Sequence, residues 1–378
     1  MIRKKIPVRK QRSYRQPPLV KILERSKILL ETSSASNKLR FGFSLIKSMK
    51  RQEGSYKFYL EGDVVRDYLL KTDFATRVDI LTDAPFGVIK RILGDNYRIV
   101  DGVLCYETDV ELLSVPVAIK SLPQNFKKDQ VVPKITLAGF NCEQVYITPE
   151  GYVVTSLCGA IKSLQEKNLT SYYSSEQLFQ PDPLRILRLI YFVGKYQLRV
   201  LPDMVAAARY YAHMLKGFLY TKQMYSELAN LFSQGFAKRS VALLHEYGVV
   251  EAIFPVLHNF LIDSEGGFFQ SWFYWQLEKF DEMLPENRSV EFVFSLCMCC
   301  EILSVPFDFP LTWEEGAARE RIGKWVGSQR IFREFDVDRM THEVIARVAS
   351  YYKHCNNSIC SCPQEQITEP VIQRRYSM

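Results

Sequence analysis

One stretch, residues 58–84, constrains the fold of this 378-residue chain more than any other. It contains a short apolar run that ends at Gly62, a run with helical spacing, and a second apolar run that carries a single acid, Asp79. These periodicities predict a strand, a helix that begins near Val64, and a second strand. Gly62 allows backbone amides to approach an anion without a Cβ in the way, and the helix points its positive end at the same place. The stretch therefore predicts a phosphate-facing turn.

The residues of this stretch resemble the head domain of bacterial poly(A) polymerases and class II tRNA nucleotidyltransferases. Those families carry Gly-Gly-x-Val-Arg-Asp-Leu-Leu, followed by Asp-hydrophobic-Asp-hydrophobic-x-Thr. The chain keeps the following motif residues: Gly62, Val65, Arg66, Asp67, Asp79 and Thr82. It departs from the motif at two positions, where Asp63 replaces the second glycine and Arg77 replaces the first metal-binding aspartate. The resemblance implies a nucleotidyltransferase head with altered catalytic positions.

The first candidate site is a set of carboxylates that could hold a metal ion. In the resembled families, two carboxylates at alternate strand positions face one way and hold Mg²⁺. By that resemblance Asp79 and Glu111 are the catalytic and metal-binding residues, with Asp63 as a further candidate ligand. Without the resemblance, Glu111 is interpreted as an exposed residue of an alternating strand. Arg77 brings a positive charge to the place of the cation, so we expect metal binding to be badly weakened. The sequence leaves open whether Asp63 compensates for that charge or crowds the phosphate approach.

A second segment bears on nucleotide binding. Counting back from Pro149 of a Pro-Glu-Gly turn places the family's Arg-Arg-Asp-Phe-Thr-Ile-Asn-Ala-Leu segment on residues 137–145. Both arginines, the aspartate and the asparagine are absent there, and Glu143 stands at the position of the asparagine. A carboxylate at that place repels a triphosphate, so the sequence predicts weakened ATP binding. The resemblance also implies that Gly62 and Arg66 face the phosphates of a nucleotide.

The best retained motif is Pro-Asp-Pro-Leu-Arg-Ile-Leu-Arg at residues 181–188. By the resemblance, Asp182 and Arg185 read a base edge through hydrogen bonds, and Arg188 belongs to the same nucleotide-binding group. The alternative is purely structural. Asp182 at a helix cap and paired with Arg185 explains both residues without any ligand.

Composition indicates a folded, largely helical protein with a basic arm. Hydrophobic residues make up 47% of the chain and aromatic residues 13%, which supports substantial cores in two or more packed units. The formal net charge of +7 is concentrated in residues 1–18, which contain arginines and lysines but no acid. Such an arm predicts a polyanionic partner, here RNA, and a disordered solubilising tail is the alternative. Prolines and the missing apolar core argue against a targeting segment.

Cysteine usage and hydropathy bear on location. No uninterrupted apolar run reaches the length of a membrane span, so the sequence predicts no membrane partner. The same absence predicts a soluble protein. Nine cysteines lie mostly in apolar contexts, which predicts a reducing compartment, the cytoplasm, and not a disulfide scaffold. Cys355, Cys360 and Cys362 lie near His354, but their spacing fits no common zinc pattern, so thiols on a frayed tail are the preferred interpretation.

Mixed strand and helix signals up to residue 154, followed by helical spacing, predict an α+β fold. With the resemblance, this becomes a nucleotidyltransferase head with a mixed sheet, followed by an all-α neck and body. Two helices, over residues 19–30 and 39–49, precede the first strand of the head. The expected divisions are 1–18 (basic disordered arm), 19–55 (N-terminal helices), 56–165 (head), 166–235 (neck), 236–352 (body) and 353–378 (C-terminal tail).

Two functions follow from these observations. The first is an RNA-binding protein of the poly(A) polymerase family that acts in RNA 3′-end processing, with nucleotidyltransferase activity weak or lost. The second is an active enzyme that uses ATP and Mg²⁺ to add nucleotides to RNA 3′ ends, as a polynucleotide adenylyltransferase or a tRNA nucleotidyltransferase. The combined losses at the metal pair, the glycine pair and the nucleotide segment favour the first function. Family membership alone favours the second.

Overall fold

The structure is a computed structural model, and it describes most of the chain. The described residues are 24–27, 36–94, 97–100, 103–106, 117–121, 139–155, 159–219, 221–262, 267–284, 287–304, 320, 323–324 and 336–359. The chain divides into two compact units, with the boundary between Tyr172 and Tyr173.

The described residues of the first unit form one mixed sheet of eight strands. In chain order the strands are β1 Glu24–Lys27, β2 Phe58–Glu61, β3 Val78–Thr82, β4 Tyr97–Val100, β5 Val103–Tyr106, β6 Val117–Ser121, β7 Val145–Ile147 and β8 Tyr152–Thr155. Across the sheet their order is β1-β8-β7-β2-β3-β6-β5-β4. Among the described pairings, β3 runs parallel to β6 and the other neighbours are antiparallel.

The described residues of the first unit also form helices and one further short strand. They are α1 Asn37–Gln52, α2 Asp63–Leu70, α3 Phe86–Leu93, α4 Ala160–Gln165 and the two-residue strand β9 Asn168–Leu169. Ser36 caps α1, because its Oγ accepts a hydrogen bond from the backbone N of Leu39 at 3.2 Å. Helix α1 packs closely on the sheet: a Cβ added to Gly42 would lie 2.8 Å from Val78 and 3.0 Å from Leu60.

Strand β3 lies in the middle of the sheet and is buried along its whole length. Its apolar residues explain this position, since a central strand needs apolar side chains on both faces. Asp79 is therefore an acid within a buried strand, and the antiparallel register places it opposite Glu61 of β2. This register places Asp79 beside the turn that follows Glu61.

One predicted helix is wrong where the structure describes it. Residues 24–27 form strand β1, whereas the spacing over residues 19–30 predicts a helix. The strand pairs with β8, from Glu24 opposite Thr155 to Lys27 opposite Tyr152. Strand pairing at the edge of a sheet depends on backbone hydrogen bonds, so the side-chain pattern of these polar residues does not predict a strand. The other residues of that predicted helix, and the strands predicted over 110–115 and 134–137, lie outside the described residues.

The described residues of the second unit form helices and one two-residue strand, β10 Arg199–Val200. Its α-helices are α5 Ser175–Phe179, α6 Arg185–Tyr196, α7 Pro202–Tyr211, α8 Lys222–Ser233, α9 Ala237–Glu246, α10 Val249–Ile253, α11 Pro255–Ile262, α12 Gly267–Glu282, α13 Val290–Ser304 and α14 Val337–Ile359. Its core is strongly aromatic, with these side chains fully buried: Phe232, Phe269, Trp272, Phe273, Phe280 and Phe294. Aromatic pairs of this kind add packing energy beyond the area that they bury.

The predicted α+β fold is confirmed by a mixed sheet followed by helices. The finer division into arm, neck, body and tail stays a prediction. Within the described ranges, no helix combines the length and the apolar character needed to cross a bilayer. Cys355 lies on α14, while Cys360 and Cys362 are outside the described residues, so the proposed thiol cluster is not described as a whole.

Candidate functional site

The turn between β2 and α2 requires a glycine at position 62. The backbone of Gly62 has φ 78° and ψ −149°, a conformation that L side chains rarely adopt. A Cβ at this position would also lie 2.6 Å from Oδ2 of Asp79. The turn therefore brings the first residues of α2 directly beside the Asp79 carboxylate.

Arg77 and Asp79 form an ion pair at the start of β3. Nε of Arg77 donates a hydrogen bond to Oδ1 of Asp79 at 3.0 Å. The two residues meet because side chains at alternate positions of a strand point to the same side. The Arg77 side chain is 55% exposed and that of Asp79 only 8%. The guanidinium thus covers the inner carboxylate, and within the described residues its terminal nitrogens have no hydrogen-bond partner.

Asp63 and Arg66 form a second pair on the first turn of α2. Oδ1 of Asp63 accepts hydrogen bonds from Nε and Nη2 of Arg66, at 3.2 and 2.5 Å. Nη1 of Arg66 donates to the backbone oxygen of Cys142 at 3.2 Å, which ties α2 to the short 3-10 turn Asn141–Glu143. Every nitrogen of this guanidinium is therefore bonded within the first unit. The phosphate-facing role of Arg66 stays a prediction.

The described carboxylates do not fit a divalent cation. Asp79 and Asp63 each accept a hydrogen bond from a guanidinium, and a positive charge at contact distance repels a second cation. Among the residues that the structure describes, no group of three or more His, Cys, Asp or Glu side chains is placed to hold a metal ion. Glu111, the other predicted catalytic and metal-binding residue, lies outside the described residues. A Mg²⁺ site at Asp79, Glu111 and Asp63 remains a prediction that this geometry disfavours.

Glu143 accepts hydrogen bonds from the backbone of its own segment. Its Oε2 accepts hydrogen bonds from the backbone N of Gly139 at 2.7 Å and of Phe140 at 3.0 Å. The neighbouring Asn141 is buried, and its Oδ1 accepts from the backbone N of Cys142 and of Thr170. The polar side chains that replace the family's nucleotide segment thus hold the local loops together. The predicted repulsion between Glu143 and a triphosphate is not tested by these contacts.

Asp67 is a motif residue whose role sequence reasoning missed. Its buried carboxylate accepts hydrogen bonds from Oγ1 of Thr72 at 2.6 Å and from the backbone N of Phe74 and Ala75 at 2.8 and 2.6 Å. Burial raises the pKa of Asp67, and these hydrogen bonds act in the opposite direction. Asp67 therefore fixes the connector that leads from α2 to Arg77.

The retained motif of the second unit lies at the start of α6. The helix begins at Arg185, whose backbone N donates to the backbone oxygen of Asp182 at 3.1 Å. Pro183 and Leu184 form a turn before the helix, and no side chain caps it. The prediction that Asp182 caps this helix is therefore wrong, because the turn separates Asp182 from the first helical residues.

Asp182 and Arg185 nevertheless form an ion pair. Oδ2 of Asp182 lies 3.3 Å from Nε of Arg185, but the geometry is not that of a hydrogen bond, and this buried Nε has no hydrogen-bond partner. Cζ of Arg185 lies 5.9 Å from the ring centroid of Tyr173, within cation–π range. Arg188 points to a different helix, since its Nε donates to Oε1 of Glu227 on α8 at 2.7 Å. Roles of these three residues in nucleotide binding stay predictions.

Curated relatives of the chain are poly(A) polymerases. Poly(A) polymerase I of Haemophilus influenzae is 24% identical over 155 residues, which is 41% of this chain and 34% of that protein. Poly(A) polymerase I of Escherichia coli O157:H7 is 22% identical over 125 residues, which is 33% of this chain and 27% of that protein. The similarity thus spans between about a quarter and a third of the length of these relatives. No protein-family model matches the chain.

Solved structures share the fold over nearly the whole chain. A CCA-adding enzyme in complex with ATP superposes with a TM-score of 0.59 at 14% identity, covering 94% of this chain and 91% of that one. The CCA-adding enzyme of Thermotoga maritima complexed with tRNA gives a TM-score of 0.54 at 14% identity, covering 91% and 88%. The chain thus shares the fold of CCA-adding enzymes. Over part of its length it is also similar in sequence to poly(A) polymerase I, in keeping with the resemblance of residues 58–84.

Proposed function

We propose that this chain is an RNA-binding protein that acts in RNA 3′-end processing and whose nucleotidyltransferase activity is weak or lost. The observation that carries the proposal is the hydrogen bond between Nε of Arg77 and Oδ1 of Asp79. Phosphoryl transfer in this fold class depends on carboxylates that hold a metal ion. Here Asp79, the carboxylate that the motif retains, is already paired with the cationic side chain of Arg77.

The size of the electrostatic effect supports this proposal. Two unit charges 4 Å apart interact with about 4 kcal/mol at an effective dielectric constant of 20. A divalent cation beside Asp79 would meet the Arg77 charge at similar range and would be repelled about twice as strongly, before solvent screens the exposed guanidinium. Even half of that repulsion, about 4 kcal/mol, corresponds to roughly three orders of magnitude in a binding constant. Moving the exposed Arg77 side chain away would reduce this cost but would break its bond to Asp79. Either route weakens metal binding relative to a pair of free carboxylates.

RNA is the proposed partner because of charge. The net charge of +7 is concentrated in the arm of residues 1–18, and a basic arm gains affinity for RNA by releasing counterions from phosphates. That arm lies outside the described residues. The finer expectations, ATP as the nucleotide of any residual activity and a cytoplasmic location, belong to the same proposal.

One observation favours the second candidate, an active enzyme that adds nucleotides to RNA 3′ ends. Nε of Arg185 is buried beside Asp182 without a hydrogen-bond partner. A buried donor that makes no hydrogen bond costs about 1–3 kcal/mol, and an acceptor on a nucleotide base would remove that cost. Substituting Arg185→Ala separates the two roles. A loss of adenine nucleotide affinity at an unchanged melting temperature would favour the enzyme, whereas a lower melting temperature alone would favour a structural pair.

The test of the proposed function is RNA affinity measured without reference to catalysis. Filter binding of a short labelled RNA would compare the parent with Asp79→Asn, which keeps the shape of the side chain and removes its charge. We expect both proteins to bind with affinities within about twofold, since RNA binding is assigned to basic surface and not to the metal-site carboxylate. A parent protein that fails to bind RNA at low ionic strength would contradict the proposal.

A further inference from the structure

We propose that Arg77 is a built-in cation for a metal-independent polyphosphate site, in which the guanidinium held by Asp79 binds the phosphates of a nucleoside triphosphate. The inference rests on the proposed function, because it takes the head to have kept its phosphate-facing turn while losing the metal. It assigns to Arg77 a role in binding and to Asp79 a role in positioning.

The geometry of the Arg77 side chain carries this inference. Nε is fixed by Oδ1 of Asp79 at 3.0 Å, which leaves both terminal nitrogens without a partner among the described residues. The side chain is more than half exposed, so these nitrogens are accessible from solvent. A guanidinium is planar and presents its donors as a rigid fork that matches two phosphate oxygens. Anchoring at Nε also reduces the conformational freedom that a ligand would otherwise have to remove.

Arg66 differs from Arg77 because its guanidinium nitrogens are all used in hydrogen bonds. Its guanidinium uses Nε and Nη2 for Asp63 and Nη1 for the backbone oxygen of Cys142, and its side chain is largely buried. Arg66 therefore links α2 to the 3-10 turn Asn141–Glu143 within the first unit. The charge of Asp63, the acid introduced at the turn, is met by Arg66 in the same contact and does not offset Arg77.

Asp79 and Arg77 are neutral as a pair, as two carboxylates with one divalent cation would be. The attraction for a phosphate therefore comes from the terminal guanidinium donors at short range and not from a net positive charge. Gly62 brings the start of α2 against the same pair, since a Cβ there would lie 2.6 Å from Oδ2 of Asp79. Backbone amides at a helix start add further donors for an anion that the arginine already attracts. A triphosphate would thus find charged hydrogen-bond donors at close range without bringing Mg²⁺ with it.

The test is equilibrium dialysis of labelled ATP against the full chain, in excess EDTA and in excess Mg²⁺. We expect the parent to bind ATP in EDTA with an affinity within about twofold of that in Mg²⁺. Arg77→Gln should weaken binding in EDTA at least tenfold, and Arg77→Lys, which keeps the charge but not the fork, should weaken it less. Arg91→Gln is the matched control: Arg91 lies in the same unit, is 68% exposed and pairs with Glu53 at 2.6 Å. It should bind ATP like the parent.

Three results would overturn the inference: ATP binding that requires Mg²⁺, no ATP binding in either buffer, or Arg77→Gln binding as well as the parent. Arg77→Lys guards against misfolding of the glutamine variant, because it retains a cation beside Asp79. RNA binding and primer extension on the same preparations separate this failure from failure of the proposed function. A protein that binds RNA, does not extend it and does not bind ATP would refute the polyphosphate site alone.

Discussion

Nε of Arg77 lies 3.0 Å from Oδ1 of Asp79, two residues further along the chain. The pair joins an exposed cation just before β3 to a buried acid within that strand, and Gly62 packs against the same carboxylate. Arg77, which departs from the family motif, is thus hydrogen-bonded directly to Asp79, which the motif retains. This contact links the fold of the head to its expected lack of catalysis.

Substituting Gly62→Ala should destabilise the first unit and disturb the Arg77–Asp79 pair. The new Cβ would meet Oδ2 of Asp79 at 2.6 Å, and a positive φ strains any L side chain. We expect a loss of about 1–3 kcal/mol in the free energy of unfolding. Gly87→Ala is the control, because no heavy atom lies within 4 Å of that Cβ, and it should stabilise α3 by about 0.5–1 kcal/mol. Equal urea midpoints for the two variants would refute this.

Substituting Asp67→Asn should loosen the connector before β3. The carboxylate accepts hydrogen bonds from two backbone N–H groups and one hydroxyl, and an amide nitrogen cannot accept. We expect a cost of about 1–3 kcal/mol in the free energy of unfolding, measured by urea denaturation. Asp73→Asn, which changes a 66% exposed acid in the same connector, should cost at most about 1 kcal/mol. A smaller loss for Asp67→Asn than for Asp73→Asn would contradict the assigned role.

The second unit should lose stability as the pH falls below neutrality. Burial, helped by the ring of His258 at 5.3 Å, lowers the pKa of His245 below its usual 6.5. Between that lowered value and 6.5 the unfolded chain binds more protons than the folded one, so stability is complete above 6.5 and falls as the pH drops. Urea midpoints at pH 7.5 and 5.5 should differ less for His245→Gln than for the parent. His213→Gln changes an exposed histidine and should keep the parent's pH dependence. Identical pH dependence in all three proteins would rule out His245.

Much of the head was predictable because residues 58–84 obey simple periodicities. Short apolar runs correspond to β2 and β3, and the helical spacing between them corresponds to α2. Strand β1 was not predictable, since its polar residues are held by backbone pairing with β8. The turn before α6 was also missed, because Pro183 fits a first helical turn as well as it fits the turn that forms.

The candidate site was predictable only in part. Period-two alternation places Arg77 and Asp79 on one side of a strand, but only the structure gives the hydrogen bond that joins them. Hydrogen bonds from a side chain to a distant backbone leave no periodic signal, so the capping by Glu143 and the anchoring by Asp67 had no counterpart in the sequence pattern. Glu111 lies outside the described residues, so its role as a catalytic and metal-binding residue stays a prediction.

Removing residues 1–18 should flatten the salt dependence of RNA binding. Each phosphate contact made by a lysine or arginine adds to the slope of log affinity against log salt, about 0.7 per contact for a single strand. The arm contains basic residues and no acid, so its loss should lower both affinity and slope. Filter binding at several salt concentrations measures both. Unchanged affinity and slope after the truncation would show that the arm does not contact RNA.

Reverting a single position should not create an active polymerase. Arg77→Asp would restore the pair of strand acids but would leave Glu143 bonded to the backbone of the segment that replaces the family's arginines. Groups that act as a unit in catalysis are strongly non-additive. We therefore expect ATP incorporation to return only when both regions are reverted together, and robust activity of Arg77→Asp alone would contradict this.

Primer extension with labelled ATP and Mg²⁺ on a short RNA, run on the parent beside Asp79→Ala, measures whether the Asp79 carboxylate takes part in catalysis. The parent should incorporate little or no more label than Asp79→Ala, because the carboxylate that would serve catalysis is bonded to Arg77. Both proteins should still bind the RNA. Robust extension by the parent that disappears in Asp79→Ala would show that Asp79 works in catalysis and would contradict the proposed weak or lost activity.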